Sequence, residues 1–282
     1  MIREAAHGDE ALIEAYLAKH FATSMFMRGN LRDFGIGNTE APYGMRYFIR
    51  QEGDITGIGG VGNGGAVMLQ ATQNPAKIVA HMRAALPAGF APSVTTGAPE
   101  MVAAIIEGFG VTDAPTQMDE TEPLFLLKKA GLRRQDMQGF SLRPATMDDL
   151  PMLAGWNHAY SMEVLGERDT CESRKETYAA AKRTIAHGRQ RLLVHKGAVV
   201  AQTSFNAALP DAVQVGGVYT PRPKRRHGFA RRAVAAHLDE AFTAGAKNAI
   251  LFSASETASK TYRAVGFEEI GAYRIVLFGG NA

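Results

Sequence analysis

The feature that most constrains this chain is a short strand that stops at a proline and leads through a basic turn into a helix. The strand, residues 215–220, ends at Pro221 because a proline cannot donate a hydrogen bond to a sheet. Beyond the turn, apolar residues recur at helical spacing from Gly228 to Ala244. A glycine at a helix start lets the backbone approach a ligand, and the free amides of the first turn attract anions. The pattern therefore predicts a pocket for a diphosphate.

Basic side chains are concentrated around this turn although the whole chain carries a formal net charge of only +3. Positive charge confined to one turn suits a small phosphorylated ligand better than the long track of a nucleic acid. The clustered residues are Arg222, Lys224, Arg225, Arg226, Arg231 and Arg232.

The turn also carries a spacing that points to a family. Arg225-x-x-Gly228-x-Ala230 resembles the acyl-CoA pyrophosphate loop of the GNAT acetyltransferases, whose pattern is Gln/Arg-x-x-Gly-x-Gly/Ala. A buried strand over residues 249–253 follows the helix, as it does in that family.

A second motif follows at the family's spacing. Ala258, Tyr262 and Gly266-Phe267 stand as they do in GNAT proteins. The resemblance covers about residues 140–278 well and the preceding half loosely. It implies an N-acyltransferase, an acetyltransferase first of all, with acetyl-CoA as cosubstrate and a primary amine of a small molecule, amino acid or peptide as acceptor.

The resemblance also implies which residues hold acetyl-CoA. Backbone groups of Val218 and Thr220 would pair with the pantetheine arm as a further strand would, and the amides of residues 226–230 would hold the diphosphate. The full expected set is Val218, Tyr219, Thr220, Arg225, Arg226, His227, Gly228, Phe229, Ala230, Ser255, Ala258 and Tyr262.

Tyr262 is the expected general acid. In the resembling family this tyrosine lies near the CoA sulfur, and a phenol stays protonated at neutral pH. The alternative is a half-buried aromatic residue packed against Phe267. Ser255 stands where the family often has an asparagine, and a hydroxyl cannot replace both hydrogen-bonding groups of an amide.

The attacking amine must lose a proton, and Glu163 is the expected base. It lies in residues 160–167, between the first two helices of the second half, where the family has its acceptor-side loop. The alternative is a glutamate on a solvated helix face, the usual position of this residue type. Glu167 and Glu256 are further candidates.

The two halves show a similar order of predicted elements: a hairpin, then strand, helix, strand, helix and strand. We therefore expect an α/β fold of two tandem GNAT-like domains, each a mostly antiparallel mixed sheet flanked by helices. Residues 1–130 form a degenerate domain, and residues 139–282 form the catalytic domain that binds acetyl-CoA. In the first domain Gln73, Asn74 and Pro75 replace the basic turn.

Composition limits the remaining possibilities. The 282 residues are 46% apolar, enough for two cores, and no run of 18 apolar residues predicts a membrane span. A lone cysteine, Cys171, and the absence of a signal-peptide pattern favour a cytoplasmic protein. No metal-ligand spacing occurs, so no metal is expected. We expect a monomer or homodimer without nucleic-acid or membrane partners.

Two functions of other classes remain open. One is a non-catalytic sensor or regulatory protein that binds acyl-CoA without turnover. The more distant one is a nucleic-acid-binding protein that uses the basic turn, which would show a steep dependence of affinity on salt.

Overall fold

The computed structural model describes residues 1–164 and 166–279 and divides into two compact units. The first consists of residues 1–122 and the described residues from 272 onward, and the second of residues 123–271. The division differs from the predicted segments 1–130 and 139–282, because two long strands each pass from one unit into the other. Among the described residues no helix is both long and apolar enough to cross a membrane.

The first unit is a mixed sheet with helices on its faces. Its strands are ordered β1-β2-β3-β4-β5-β12-β6, where β12 (Glu268–Phe278) comes from the far end of the chain. The elements are β1 (Ile2–Glu4), α1 (Glu10–Lys19), α2 (Phe21–Phe34), β2 (Met45–Glu52), β3 (Asp54–Gly62), β4 (Ala66–Ala71), α3 (Pro75–Ala84), β5 (Val94–Gly97), α4 (Pro99–Phe109) and β6 (Thr116–Lys128).

The second unit repeats this order. Its strands are ordered β6-β11-β10-β9-β8-β7, and β10 and β11 are parallel while the other pairs are antiparallel. The elements are β7 (Phe140–Pro144), α5 (Leu150–Val164), α6 (Cys171–Ala186), β8 (Gln190–His195), β9 (Ala198–Ala208), β10 (Ala212–Tyr219), α7 (Phe229–Thr243), β11 (Asn248–Phe252), α8 (Glu256–Val265) and β12 (Glu268–Phe278).

The predicted repeat and the α/β class are both confirmed. Each unit runs strand, two helices, hairpin, strand, helix, strand, helix, strand. In each, the strand before the third helix is parallel to the strand after it. The sequence predicts helices over residues 99–109 and 256–265, and the structure has helices with these bounds.

Several local predictions differ from the structure. The sequence does not predict helix α2 or strand β1. It predicts strands over residues 123–128 and about 273–278, whereas β6 and β12 begin earlier, at Thr116 and Glu268. The sequence Asn74-Pro75 predicts a helix with Asn74 as its cap and Pro75 at its first position. Pro75 does begin α3, but the predicted side-chain cap is wrong, because Asn74 has φ +48° and its side chain makes no capping hydrogen bond.

The glycines of residues 57–62 are spaced like a dinucleotide-binding fingerprint, but another strand follows them, so the sequence predicts a glycine-rich hairpin. They lie in the β2–β3 hairpin and let α3 pack directly on the sheet. A Cβ at Gly57 would lie 2.3 Å from Ile78 Cδ1, and one at Gly59 would lie 2.2 Å from Met82 Sδ. Side chains at these positions would push the helix off the strand.

The second unit has an apolar core on one face of its sheet, under α7. Val234, Leu238 and Phe242 pack there against Val213 and Val215. Because side chains alternate along a strand, Gln214 and Gly216 point to the opposite face, which α5 and α6 cover. Apolar packing on one side thus anchors β10 in the core, and its other side lies against a more polar layer.

Candidate functional site

The site begins where β10 and β11 part. The two strands pair in parallel at three positions, the last being Gln214 with Ile250. Over the described residues no further pairing between them is present, although β10 continues to Tyr219 and β11 to Phe252. A strand edge that loses its neighbour offers backbone groups to an extended ligand.

A bulge in β10 turns the backbone at the same place. The β9–β10 register shifts between Gly216 and Tyr219, and Gly217 has φ +57°, which favours glycine. Gln202 supports the bulge from β9, since its Nε2 donates to the Gly217 carbonyl at 3.2 Å and to Asn157 Oδ1 at 2.9 Å. Of the predicted pantetheine contacts, Val218 lies within this bulge and Thr220 follows it.

The basic turn follows as a 3-10 turn, Arg222–Lys224, and a short loop. Lys224 Nζ donates to the Val199 carbonyl at 2.8 Å, which ties the turn to β9. Arg226 and Gly228 have φ +67° and +71°. Left-handed residues of this kind curl backbone amides into a concave anion-binding loop, and α7 begins at Phe229 with its first amides unpaired within the helix.

Phe229 anchors this loop through its ring. Its centroid lies 5.9 Å from Phe140, 6.0 Å from His195 and 5.4 Å from His227. The stacking gives His227 and Phe229 packing roles in addition to the backbone contacts predicted for them. A loop anchored in this way presents its amides in a fixed arrangement.

Two buried polar atoms beside the loop make no hydrogen bond to any part of the chain that the structure describes. They are Thr220 Oγ1, at the end of the strand, and Arg231 Nε, in the first turn of α7. A buried polar atom without a partner costs free energy, so such atoms mark a place where a polar ligand fits. The residues present therefore fit the diphosphate and pantetheine of acetyl-CoA.

Glu163, the predicted base, is held by two arginines of the basic turn. Its Oε2 accepts from Arg225 at 2.6 Å and its Oε1 accepts from Arg222 at 3.0 Å, and its side chain is 21% exposed. Partial burial acts to raise the pKa of Glu163, but the two arginines outweigh burial and hold the pKa below its usual value. A carboxylate of lowered pKa is a weaker base, so in this arrangement Glu163 serves as an anionic partner.

An aromatic wall lies beside this ion pair. The Arg225 guanidinium lies 5.7 Å from the centroid of the Tyr219 ring, and its Nε donates to the Thr220 carbonyl at 2.9 Å. The ring of Trp156, on α5, is 5.9 Å from that of Tyr219. Burial, and next the charge of Glu163, raise the pKa of Tyr219.

Tyr262 and Ser255 lie on α8, which follows β11. The Tyr262 ring meets Phe267 edge to face at 6.0 Å and packs on the apolar core of the unit. Ser255 is the N-cap of the helix, and its Oγ accepts from the Ala258 amide at 3.2 Å. The hydroxyl is therefore engaged in capping, as serine at this position commonly is.

The other candidate carboxylates are placed differently. Glu256 pairs with Arg263 on the same helix at 3.3 Å. Glu167 has a buried Oε2 that accepts no hydrogen bond from the residues that the structure describes. Among the residues that the structure describes, no group of three or more histidine, cysteine, aspartate or glutamate side chains could hold a metal ion.

Sequence analysis did not single out Trp156, Asn157 and Gln202 near β10, or Glu122 in the first unit. Trp156 and Asn157 lie on α5 and Gln202 lies on β9, so no motif spacing connects them with β10. The one feature that could have drawn attention to Trp156 is that it is the only tryptophan of the sequence. Burial, and next the charge of Glu120, raise the pKa of Glu122 to about 7. Its burial follows from the unpredicted length of β6.

The corresponding turn of the first unit is built differently. Arg50 is buried there and donates to the Gln73 carbonyl at 3.3 Å and to Thr56 Oγ1 at 2.6 Å. The turn between β4 and α3 thus presents a carbonyl to a resident arginine, where the second unit presents amides and arginines.

Comparison with known proteins supports the predicted fold. No family model matches the sequence, and no curated protein matches it significantly. Among solved structures, a Drosophila protein aligns with a TM-score of 0.68 at 10% identity, over 98% of both chains. A GCN5-related N-acetyltransferase from Kribbella flavida aligns with a TM-score of 0.57 at 16% identity, over 98% of both chains.

A two-domain neighbour matches throughout. A tandem GNAT protein from the clavulanic acid biosynthesis pathway aligns with a TM-score of 0.55 at 16% identity, over 100% of both chains. At these identities the likeness is one of fold. The chain has the mixed-sheet fold of tandem GNAT proteins, and the predicted resemblance is confirmed at that level.

Proposed function

We propose that this protein is an acyl-CoA-dependent N-acyltransferase that uses acetyl-CoA and acetylates a primary amine. The observation that carries the proposal is the parting of β10 from β11, followed directly by a glycine-containing basic loop at the start of α7. Fold alone does not imply activity, since one fold serves many functions. The geometry of the site carries the proposal, and the fold gives it additional support.

Binding is assigned to the strand edge and the loop. The bulged backbone from Gly217 to Thr220 would pair with the pantetheine arm, and the amides of residues 226–230 would bind the diphosphate. Arg225 and Arg231 supply positive charge near the phosphates. Thr220 Oγ1 would gain a partner that it lacks within the protein.

Acetyl-CoA supplies an activated acetyl group as a thioester. The acceptor nitrogen forms a bond to the acetyl carbon, the carbon–sulfur bond breaks, and the sulfur takes up a proton to give free CoA. Tyr262 is assigned to donate that proton. The proton that the amine loses passes to a carboxylate or water, for which Glu163 as first predicted, Glu167 and Glu256 are the candidates.

An acyl-CoA sensor without turnover is the second candidate. It is favoured by one observation, the double ion pair of Glu163, because a carboxylate held by two arginines is a weak base. A sensor needs the loop and the strand edge but requires no proton acceptor.

The two functions are separated by incubating the full chain with acetyl-CoA and a panel of amines. An enzyme releases free thiol only when a suitable amine is present, and mass spectrometry then finds one acetylated amine for each thiol. A sensor binds CoA by calorimetry and releases no thiol with any amine. A chain that does not bind CoA at all contradicts both functions.

A further inference from the structure

The three groups that surround the Arg225 guanidinium are those that bind an organic cation. The Glu163 carboxylate lies at one end, the face of the Tyr219 ring lies at 5.7 Å, and the Thr220 carbonyl accepts from Arg225 Nε. Aromatic faces and carboxylates together are a preferred environment for ammonium and guanidinium groups. We call the Glu163 carboxylate and the Tyr219 ring the cation cradle, because the backbone of Thr220 is assigned to the pantetheine arm of acetyl-CoA.

The protein's own arginines fill this cradle. Arg225 and Arg222 both donate to Glu163, yet both belong to the turn that leads into the diphosphate loop. A diphosphate and Glu163 therefore compete for the same guanidinium groups. Arginine forms two parallel hydrogen bonds with phosphate as readily as with carboxylate, and a diphosphate carries more negative charge than one carboxylate.

The arginines are free to move at small cost. Their side chains are 42% and 74% exposed for Arg225 and Arg222, and ion pairs this exposed contribute little to stability. Glu163 and Tyr219 belong to α5 and β10, whose packing holds them in place. A bound diphosphate would thus draw the arginines away and leave the carboxylate and the ring behind.

We propose that the cation cradle is the acceptor site, that it takes an amine in its protonated, ammonium form, and that acetyl-CoA opens it by withdrawing Arg225 and Arg222 from Glu163. The inference rests on the proposed function and names its substrate class. It assigns Glu163 first to binding the acceptor's charge; the bound ammonium then gives up one proton, to Glu163 or to water, before its nitrogen forms the bond to the acetyl carbon. It also makes acceptor binding conditional on CoA.

Calorimetry of CoA binding tests the competition. Glu163→Gln removes the competing charge, so CoA should bind this variant more tightly, by about two- to fivefold given the modest strength of exposed ion pairs. Glu176→Gln on the exposed surface of α6 makes the same charge change away from the arginines and should leave CoA affinity unchanged. Equal or weaker binding by Glu163→Gln would overturn the competition.

Fluorescence of Trp156 tests the cradle itself, because the only tryptophan of the chain packs on Tyr219. In the presence of CoA, n-butylammonium should change the emission saturably, and n-butanol, of the same length without the charge, should not. Without CoA the ammonium should have no such effect. The same response with and without CoA, the same response to the alcohol, or none in the CoA complex would overturn the assignment.

The outcomes separate this inference from the proposed function. If none of the proteins binds CoA, the proposed function fails. If all bind CoA alike and thiol release depends on an amine, the proposed function stands and the cation cradle is wrong. Thiol release with amines, tighter CoA binding by Glu163→Gln and a CoA-dependent ammonium response together support both.

Discussion

His237 shows at the scale of one residue how burial sets a pH dependence. It is 2% exposed on α7, stacks on Phe205 at 3.7 Å, and its Nδ1 is buried without a hydrogen-bond partner. Burial, and next the charge of Arg191, lower its pKa from 6.5 to about 3. Below pH 6.5 His237 is therefore protonated in the unfolded chain, whereas in the folded chain it stays neutral down to about pH 3.

The sign of the effect follows from proton binding. Between pH 6.5 and about 3 the unfolded state holds more protons, so the free energy of unfolding falls as the pH drops through this range. His237→Phe should remove this contribution, which is worth up to about 1.4 kcal/mol per pH unit. Urea unfolding of both proteins from pH 7 to pH 4.5 should show a flatter curve for the variant. Exposed His187→Gln is the control, and parallel curves for His237→Phe and wild type would contradict the account.

Tyr262→Phe tests the general acid. The ring still meets Phe267, so the fold should hold, and only the proton for the departing sulfur is lost. We expect kcat to fall by about 10²–10⁴-fold, with a small change in the KM for acetyl-CoA. Tyr178→Phe on the exposed face of α6 should have no effect. Wild-type kcat in Tyr262→Phe, with chemistry limiting the rate, would remove Tyr262 from the reaction.

Sequence patterns point to single residues most directly where the residues of a site are consecutive, and the binding roles assigned to such residues stay predictions. Arg225 and Gly228 were identified because a proline-ended strand, a basic turn and a helix start are consecutive. The ion pairs of Glu163 were not foreseen, since they join residues about sixty positions apart. The capping role of Ser255 was open to prediction from its place before Glu256 and was overlooked.

At the scale of the element, the loop before α7 depends on one glycine conformation. Gly228 has φ +71°, and a Cβ there would lie 2.9 Å from a terminal nitrogen of Arg232, a flexible side chain that can move. Gly228→Ala should therefore cost about 1–2 kcal/mol of stability through backbone strain. CoA affinity should fall by about tenfold or more, because the strained loop loses charge-assisted hydrogen bonds.

Gly188→Ala provides the matched control. Gly188 has φ +66° and no atom within 4 Å of an added Cβ. An alanine there therefore introduces the same kind of backbone strain at a position outside the loop before α7. Thermal unfolding should show similar losses for both variants, and calorimetry should show weakened CoA binding for Gly228→Ala alone. Unchanged CoA affinity in Gly228→Ala would place the diphosphate elsewhere.

Helix α2 shows why some elements escaped prediction. Residues 21–34 contain Ser24, Gly29 and Asn30, which favour other structures in isolation, and a charged Arg28 on the buried face. Arg28 is 2% exposed and donates through Nε to Glu14 of α1 at 3.0 Å. The ion pair with Glu14 thus allows Arg28 to be buried, although a charged residue in the sequence predicts an exposed position.

At the scale of the whole molecule, the last strand belongs to two units. Its residues from 272 onward count with the first unit, where residues 274–277 pair with β5 and Arg274 pairs with Asp119 at 2.7 Å. The sequence does not predict the pairing of β12 with β5. Each half of the chain ends in a strand of its own, and nothing in the sequence shows with which strand it pairs.

Removing residues 272–282 should therefore destabilise residues 1–122, which belong to the same unit although they lie at the other end of the sequence. Without its antiparallel partner β5 loses hydrogen bonds, and limited proteolysis followed by mass spectrometry should find new cuts between residues 72 and 98. A chain lacking only residues 280–282 is the control. A digestion pattern identical to that of the full chain would contradict the assignment of this strand.

The central claim is that acyl-CoA binds where β10 parts from β11 and at the loop before α7. Backbone amide exchange of the full chain, measured with and without CoA, tests it most directly. The account predicts slowed exchange at residues 216–220 and 226–230 and no change at the corresponding turn of the first unit, residues 72–77. Protection at residues 72–77, or CoA binding that leaves residues 226–230 unprotected, would contradict it.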